Sequence, residues 1–287
     1  MATDDIEFLS DGVQLRGWLA LPPDAPATRH PLVIATHGLS GIIDLDLRHY
    51  AAAFTAAGFA CLAYDHRNWG RSDGLPRGES DPWRQVADLR EAISFARTLP
   101  QIDPERIGLW GTSYAGGHVI TATALDRRVR ATVSQVPLIS GSRTFDAWVP
   151  AAKREKFLAR LDADRDARYR GEAPVTSPAA LPDSETDEWV RHSDVDGRYE
   201  NALTIRSFDL IRTYEPVDFA PRVTPTPLLM IVATNDVQTP TAWQREAFAL
   251  MGEPKRIVEI DCRHYDVYMD RIDEAAAAAA AWYTRYL

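Results

Sequence analysis

The sequence predicts an α/β protein with a doubly wound, mostly parallel sheet of about eight strands and a helical cap insertion. Three observations support this fold class. Short apolar runs alternate with segments of helical periodicity, which is typical of strands buried on both faces and joined by crossover helices. Glycine-containing turns follow several of these runs. Between residues 140 and 222 the strand pattern stops.

The first half of the chain supplies the early elements of the sheet. Ser10-Asp11-Gly12 stands between two strand-like runs and predicts a hairpin. Asp81 followed by Pro82 predicts the start of a helix, with an N-cap carboxylate and proline at the first helical position. Apolar runs predict strands over 31–38, 60–64, 107–110 and 129–137, with helices over 47–57, 82–99 and 118–125.

The second half is divided by the change of pattern. Residues 140–222 are predicted to form a mostly helical cap over the carboxyl ends of the strands, and their charge run is interpreted as a solvated helix face. The alternation then resumes with a strand over 226–234, a helix over 240–251, a strand over 256–260 and a helix over 272–286. The predicted organisation is a sheet core in two parts, 1–139 and 223–287, around the cap at 140–222.

Composition limits the partners and the compartment. The 287 residues are 45% hydrophobic and carry a formal net charge of −9, which argues against general affinity for nucleic acid or an anionic membrane. An acidic start and the lack of an apolar run near ~20 residues lead us to expect a cytoplasmic protein. Cys61 and Cys262 are expected to be free and buried. The expected partner is a small-molecule acyl substrate, with no nucleic acid and no membrane; a homodimer is left open.

The stretch from Ile107 to Gly117 predicts a nucleophile elbow. An apolar run ends in Gly111, and the small residues that follow allow a sharp turn at Ser113 into a helix. Such a turn leaves no room for side chains two positions before the serine or two and three after it, where the chain has Gly111, Ala115 and Gly116. Alanine replaces the usual glycine at 115 and is small enough to be compatible with the turn.

Ser113, Asp236 and His264 follow three predicted strands in the order nucleophile, acid, base. A serine hydroxyl needs an imidazole to take its proton, and that imidazole needs a carboxylate to hold its tautomer and stabilise the cation. Each residue alone could be a turn serine, a helix cap or a loop histidine. Together, in this order, they predict a catalytic triad.

Attack on a carbonyl also requires donors for the developing oxyanion. The backbone N–H of Tyr114 is one candidate, and that of Leu39, after His37-Gly38, is the other. The other histidines lack metal-ligand spacing, and no phosphate-binding glycine loop is present. We therefore expect no metal and no cofactor.

Several blocks resemble the α/β-hydrolase superfamily, and the resemblance covers nearly the whole chain. They are His37-Gly38-Leu39-Ser40-Gly41, the segment from Tyr64 to Gly74, Leu109 to His118, and Ser134-Gln135-Val136-Pro137. They are similar to a branch of bacterial esterase-like hydrolases and fungal polyketide thiohydrolases and acyltransferases. The resemblance implies nucleophile, acid and base roles for Ser113, Asp236 and His264, and a structural turn at Asp65.

The expected activity is that of a serine hydrolase acting on an ester, lactone or thioester through an acyl-enzyme. Acyl transfer with the same triad is an alternative, and so is a ligand-binding protein that retains the triad. Within the cap, Phe145 and Trp148 follow soon after a strand end and are predicted to line an apolar acyl pocket. Small or medium hydrophobic substrates are therefore expected to be preferred over charged ones.

Overall fold

The computed structural model describes residues 3–23 and 29–287, which include an eight-stranded sheet, a two-stranded pair and helices. The strands are β1 (Thr3–Ser10), β2 (Val13–Ala20), β3 (His30–Thr36), β4 (Ala60–Tyr64), β5 (Ile102–Thr112), β6 (Val129–Gln135), β7 (Thr176–Ser177), β8 (Leu203–Thr204), β9 (Leu228–Ala233) and β10 (Lys255–Ile260). The α-helices are α1 (Leu47–Ala56), α2 (Pro82–Ala96), α3 (Tyr114–Leu125), α4 (Gly141–Trp148), α5 (Ala151–Tyr169), α6 (Glu185–Ser193), α7 (Ile205–Ile211), α8 (Thr241–Leu250) and α9 (Ile272–Tyr286).

The large sheet confirms the predicted fold class. Its strand order is β1-β2-β4-β3-β5-β6-β9-β10, and every pairing from β4 to β10 is parallel. The antiparallel hairpin of β1 and β2 forms one edge. Asp11 and Gly12 at its turn have φ of 48° and 74°, the backbone that a two-residue hairpin favours.

Helices cover both faces of the sheet because its central strands are apolar on both sides. In β3, Val33 and Ala35 join a core with α1 and α9, whereas Leu32 and Ile34 join a core with α2 and α3. Successive residues of a strand point to opposite faces, so these are two separate cores. Asp81 caps α2 by accepting from the N–H groups of Trp83 and Arg84, as the sequence predicts.

The insertion, residues 140–222, lies between two strands that are neighbours in the sheet, β6 and β9. Helices α4 to α7 make up most of it, in agreement with the predicted helical content. The prediction of no strand there is wrong in detail, because β7 and β8 form an antiparallel pair. Two-residue strands are too short to produce an alternating pattern, so the sequence does not reveal them.

Two further features concern the whole described chain. Cys61 and Cys262 are both free and buried, as predicted. None of the helices in the described ranges is long and apolar enough to cross a membrane.

Candidate active site

Ser113 occupies a strained turn between β5 and α3. Its φ is 54° and its ψ is −118°, a left-handed backbone that non-glycine residues rarely adopt. The turn is possible because its neighbours are glycines. A Cβ on Gly116 would come within 2.8 Å of Pro137 Cα, and one on Gly111 would collide with the Ala115 carbonyl. The Ser113 N–H donates to the Gln135 carbonyl over 2.9 Å, which ties the turn to the end of β6. The turn leaves Ser113 half-buried, with its hydroxyl at the carboxyl edge of the sheet.

The structure brings Ser113, His264 and Asp236 together. The hydroxyl oxygen of Ser113 lies 3.0 Å from His264 Nε2, and His264 Nδ1 lies 2.7 Å from Asp236 Oδ2. Ser113 follows β5, Asp236 follows β9 and His264 follows β10. The carboxyl ends of these strands meet at one edge of the parallel sheet. His264 and Asp236 are buried. A proton can therefore pass from the serine hydroxyl to the imidazole while a carboxylate holds the other ring nitrogen.

Besides His264, several other groups form hydrogen bonds to the Asp236 carboxylate. Its Oδ1 accepts from the N–H groups of Gln238 and Thr239, over 2.9 and 2.8 Å. Its Oδ2 also accepts from Thr239 Oγ1 and from Gln244 Nε2, over 2.9 and 3.1 Å. Burial would raise the pKa of Asp236, but the His264 charge, the hydrogen bond to His264 and the two hydrogen bonds from Thr239 outweigh it and hold the pKa below its usual value.

The sequence did not predict that Thr239 and Gln244 form hydrogen bonds to Asp236. Thr239 is three residues after Asp236, the spacing at which an aspartate caps a following turn, and this was the signal available. Thr239 Oγ1 also lies 3.0 Å from the carbonyl oxygen of Val136, so its single hydroxyl hydrogen is shared between this oxygen and Asp236. Val136 has a φ of 36°, rare for a β-branched residue, and its N–H is bonded to Ile231 of β9. The loop after β6 thus supplies an acceptor for Thr239 and no carboxylate.

The predicted oxyanion donors both border the cavity above Ser113. Leu39 and Tyr114 line it together with Ser113. Tyr114 is the first residue of α3, and the N–H groups of a first helical turn have no intrahelical acceptor. A Cβ on Gly38 would stand 3.2 Å from Ser113 Cβ, so the Gly38–Leu39 backbone passes close to the hydroxyl.

A cavity of about 840 Å³ opens above these groups, between the sheet edge and the insertion. Trp148 lines it, with its Nε1 3.3 Å from the Gln238 carbonyl. Phe145 is not among the described residues of the wall, so its predicted place in the pocket is corrected. It packs instead on Phe157, at 6.0 Å between ring centroids, and lies beneath the Arg212 guanidinium. Other aromatic and aliphatic residues of the wall include Phe157, Trp189, Phe208, Tyr265, Tyr268, Leu138, Leu181 and Leu203.

Comparison with known proteins gives the family. The model of the α/β hydrolase family matches residues 32–280. The chain belongs to the α/β-hydrolase family. It is 32% identical over 267 residues to a thiohydrolase from Eupenicillium brefeldianum, covering 88% of this chain and 83% of that one. It is 30% identical over 263 residues to the polyketide transferase grgF of a Penicillium species, covering 88% and 86%.

A solved structure with the same architecture is that of the α/β hydrolase GrgF from Penicillium sp. sh18. Its TM-score to this chain is 0.88 at 27% identity, with 100% of this chain and 99% of that one covered. In the present α/β-hydrolase the similarity thus includes the insertion as well as the sheet.

Asp65 of this α/β-hydrolase has the surroundings of a structural turn. Its two carboxylate oxygens accept from the N–H groups of Ile43 and Arg71, over 2.9 and 2.8 Å. Burial raises the pKa of Asp65 to about 6 despite these bonds. Within the described ranges, no group of three or more histidine, cysteine or carboxylate side chains is arranged to hold a metal ion.

The charge run of the insertion also contributes to the cavity. Lys153, Lys156 and Arg160 belong to the run that is interpreted as a solvated helix face; all three are exposed, and all three also border the cavity. They lie three and four residues apart on α5 and therefore share one face of the helix. Phe157 lies on the same face and also lines the cavity. The face is thus part of the cavity wall, with aromatic and cationic groups side by side.

Proposed function

We propose that this α/β-hydrolase is a serine hydrolase that cleaves a carboxylic ester, lactone or thioester through an acyl-enzyme on Ser113. The observation that carries the proposal is the hydrogen-bonded series Ser113–His264–Asp236 at the base of a cavity of about 840 Å³. A buried carboxylate and a buried imidazole in contact with a half-buried serine are costly to maintain without a chemical role.

In the proposed reaction, Ser113 Oγ attacks the substrate carbonyl carbon and its proton passes to His264 Nε2. Asp236 accepts the Nδ1–H bond and stabilises the imidazolium. The N–H groups of Leu39 and Tyr114 donate to the oxyanion of the tetrahedral intermediate. When the intermediate collapses, His264 returns the proton to the departing alcohol or thiol, and the acyl group stays on Ser113. Water, activated by His264 in the same way, then releases the acid.

The insertion acts in this proposal as a cap that forms the acyl pocket. Phe208 packs edge to face on Phe157 and on Trp148, with ring centroids 5.4 and 6.4 Å apart, and all three residues border the cavity. Such a wall favours a small or medium hydrophobic acyl group near the serine.

Acyl transfer to an alcohol or amine is the second candidate. It is favoured by the similarity to a protein named as a polyketide transferase, over 88% of this chain. The acyl-enzyme is common to both reactions, and only the second nucleophile differs. The ratio of acid to transfer product, measured with para-nitrophenyl butyrate and increasing concentrations of a primary alcohol, distinguishes them.

The decisive experiment for Ser113 is covalent trapping combined with substitution. A fluorophosphonate probe should label the wild-type protein at Ser113, and Ser113→Ala should abolish the label and lower turnover by roughly 10⁶-fold while the protein stays folded. Ser177→Ala is the matched control, because Ser177 also borders the cavity. Its label and rate should match the wild type. Ester hydrolysis by Ser113→Ala at a near wild-type rate would refute the assignment, and a folded wild type without label or turnover would leave ligand binding as the function.

A further inference from the structure

Three cations on the wall of the cavity have no partners among the described residues. Within the described part of the chain, the side chains of Lys153, Lys156 and Arg160 make no ion pair and no hydrogen bond. All three are exposed, and all three border the cavity. The protein as a whole carries a net charge of −9, so carboxylates are abundant elsewhere on its surface.

The other arginines of the same helix behave differently. Arg154 pairs with Asp146 over 3.2 Å, and Arg168 pairs with Asp164 over 2.8 Å. Arg165 pairs with two carboxylates, over 2.7 and 2.8 Å. None of these three borders the cavity. On α5 the arginines that do not border the cavity are therefore paired with carboxylates, whereas the three cations that border it have no partner among the described residues.

The remaining charged groups of the wall do not neutralise this face. Asp46 is the sole carboxyl group among the described residues that border the cavity. Its Oδ2 accepts from Trp189 Nε1 over 2.7 Å, and burial raises its pKa to about 6. A single such lysine could be explained as an ordinary surface residue, whose alkyl chain packs on the protein while its ammonium group stays in water. Three unpaired cations in register, around Phe157, concentrate positive potential over one part of the pocket.

We propose that Lys153, Lys156 and Arg160 form a subsite for an anionic group of the substrate, at the end of the cavity wall formed by α5. The inference rests on the proposed function and adds a charge to the substrate class. The recognised chemistry is a carboxylate or phosphate oxygen, which either the acyl chain or the leaving group of a thioester can supply. It revises the expectation that uncharged substrates are preferred throughout, because hydrophobic contact near Ser113 is combined with anion binding farther along the wall.

The test uses two matched pairs of substrates. The first pair is para-nitrophenyl hexanoate and the mono-para-nitrophenyl ester of adipic acid, which differ in a terminal methyl or carboxylate on the acyl chain. The second pair is the hexanoyl thioester of pantetheine and that of phosphopantetheine, which differ in a phosphate on the leaving group. A preference in the first pair locates the anion on the acyl side, and one in the second pair locates it on the leaving group.

The triple substitution Lys153→Gln, Lys156→Gln, Arg160→Gln should raise KM for the preferred anionic substrate by about tenfold or more, and by less than about twofold for its neutral partner. Raising the ionic strength should weaken the wild-type preference and leave the triple variant unchanged. The matched control is Arg256→Gln, which removes from β10 an exposed arginine that has no side-chain partner among the described residues and lies outside the cavity wall. Equal effects of the triple variant on both members of each pair would overturn the proposal.

A binding measurement keeps this test independent of turnover. The para-nitroanilide of hexanoic acid and the mono-para-nitroanilide of adipic acid, and the two pantetheine thioesters, are titrated calorimetrically into Ser113→Ala with and without the triple substitution. Loss of anion preference only in the combined variant supports the subsite even if the wild type hydrolyses nothing. If Ser113→Ala binds the anionic and neutral members equally in both pairs, the proposed subsite is overturned, even if the wild type proves to be an efficient esterase.

Discussion

His37 Nδ1 lies 2.9 Å from the carbonyl oxygen of Gly38 and donates to it. That carbonyl belongs to the same planar peptide as the Leu39 N–H, so fixing one end of the peptide fixes the direction of the other. The Gly41 N–H donates to the same oxygen over 3.2 Å. On the other side of the ring, Nε2 accepts from the N–H of His66 over 3.0 Å. Burial lowers the pKa of His37 to about 4, so the imidazole stays neutral in this donor and acceptor arrangement.

The first prediction follows from this peptide. His37→Phe keeps an aromatic ring but removes both hydrogen bonds, so the Leu39 N–H loses its fixed direction. We expect kcat for para-nitrophenyl butyrate to fall by about 10²-fold, the usual effect of misplacing a catalytic group by about 1 Å, with little change in KM. Steady-state kinetics measure this, and a thermal unfolding curve confirms that the variant is folded. An unchanged kcat in a folded variant would show that His37 does not position the donor.

The second prediction concerns Asp236. In Asp236→Asn the amide cannot hold the neutral His264 tautomer in which Nε2 accepts the serine proton, so kcat should fall by about 10⁴-fold. The control is Asp261→Asn, which removes the same charge from a neighbouring exposed loop where Asp261 accepts from Thr234 and Asn235. That variant should retain activity within about twofold of wild type. Comparable losses in both would mean that charge near the site matters more than the contact with His264.

The third prediction concerns stability in acid. His118 is buried against Tyr214 and Gln85, at 3.2 and 3.0 Å from its two ring nitrogens, and burial lowers its pKa to about 3. In the unfolded chain a histidine takes up a proton below about pH 6.5, whereas folded His118 does not until far lower pH. The unfolded state therefore binds more protons, and His118 makes stability fall as pH drops through this window.

His118→Gln can keep hydrogen bonds without titrating, so it isolates this contribution. Urea unfolding between about pH 6.5 and pH 4 should give a stability slope that is shallower than wild type by up to about 1.4 kcal/mol per pH unit. Burial raises the pKa values of Asp46 and Asp65 to about 6, which affects stability in the opposite direction, but both residues are common to the two proteins and cancel in the comparison. Parallel pH profiles would show that His118 does not resist protonation.

The strands and the spacing of Ser113, Asp236 and His264 could be predicted because they depend on local pattern. Apolar runs of strand length identify buried strands, and parallel strands deliver their following loops to one edge. The tight turn at Ser113 requires small neighbouring residues, and these can be read directly from the sequence. Local sequence therefore contained the information needed for the elbow and for the order of the three residues.

Other features depend on tertiary packing and have no local signal. Gln244 reaches Asp236 from inside α8, eight residues later, and nothing in the helix pattern separates it from an ordinary buried glutamine. The cationic face of α5 has the periodicity of any solvated helix, and only the orientation of that helix as it packs on α7 places Lys153 and Lys156 beside the cavity. That orientation is set by the packing of the whole insertion, which a sequence window does not contain.

The last prediction distinguishes the roles of Phe145 and Trp148, which lie three residues apart on α4. The sequence predicts a place in the acyl pocket for both. Trp148 borders the cavity, so Trp148→Ala should change the kcat/KM ratio between short and longer acyl chains by about 1–3 kcal/mol. Phe145 is buried against Phe157 and does not itself border the cavity, so Phe145→Ala should lower the free energy of unfolding by about 3–5 kcal/mol and leave the ranking of acyl chains unchanged. Ester series of increasing acyl length and denaturant titrations test both variants. A reordered acyl ranking in Phe145→Ala, or an unaltered one in Trp148→Ala, would mean that the cavity does not select the acyl group through α4.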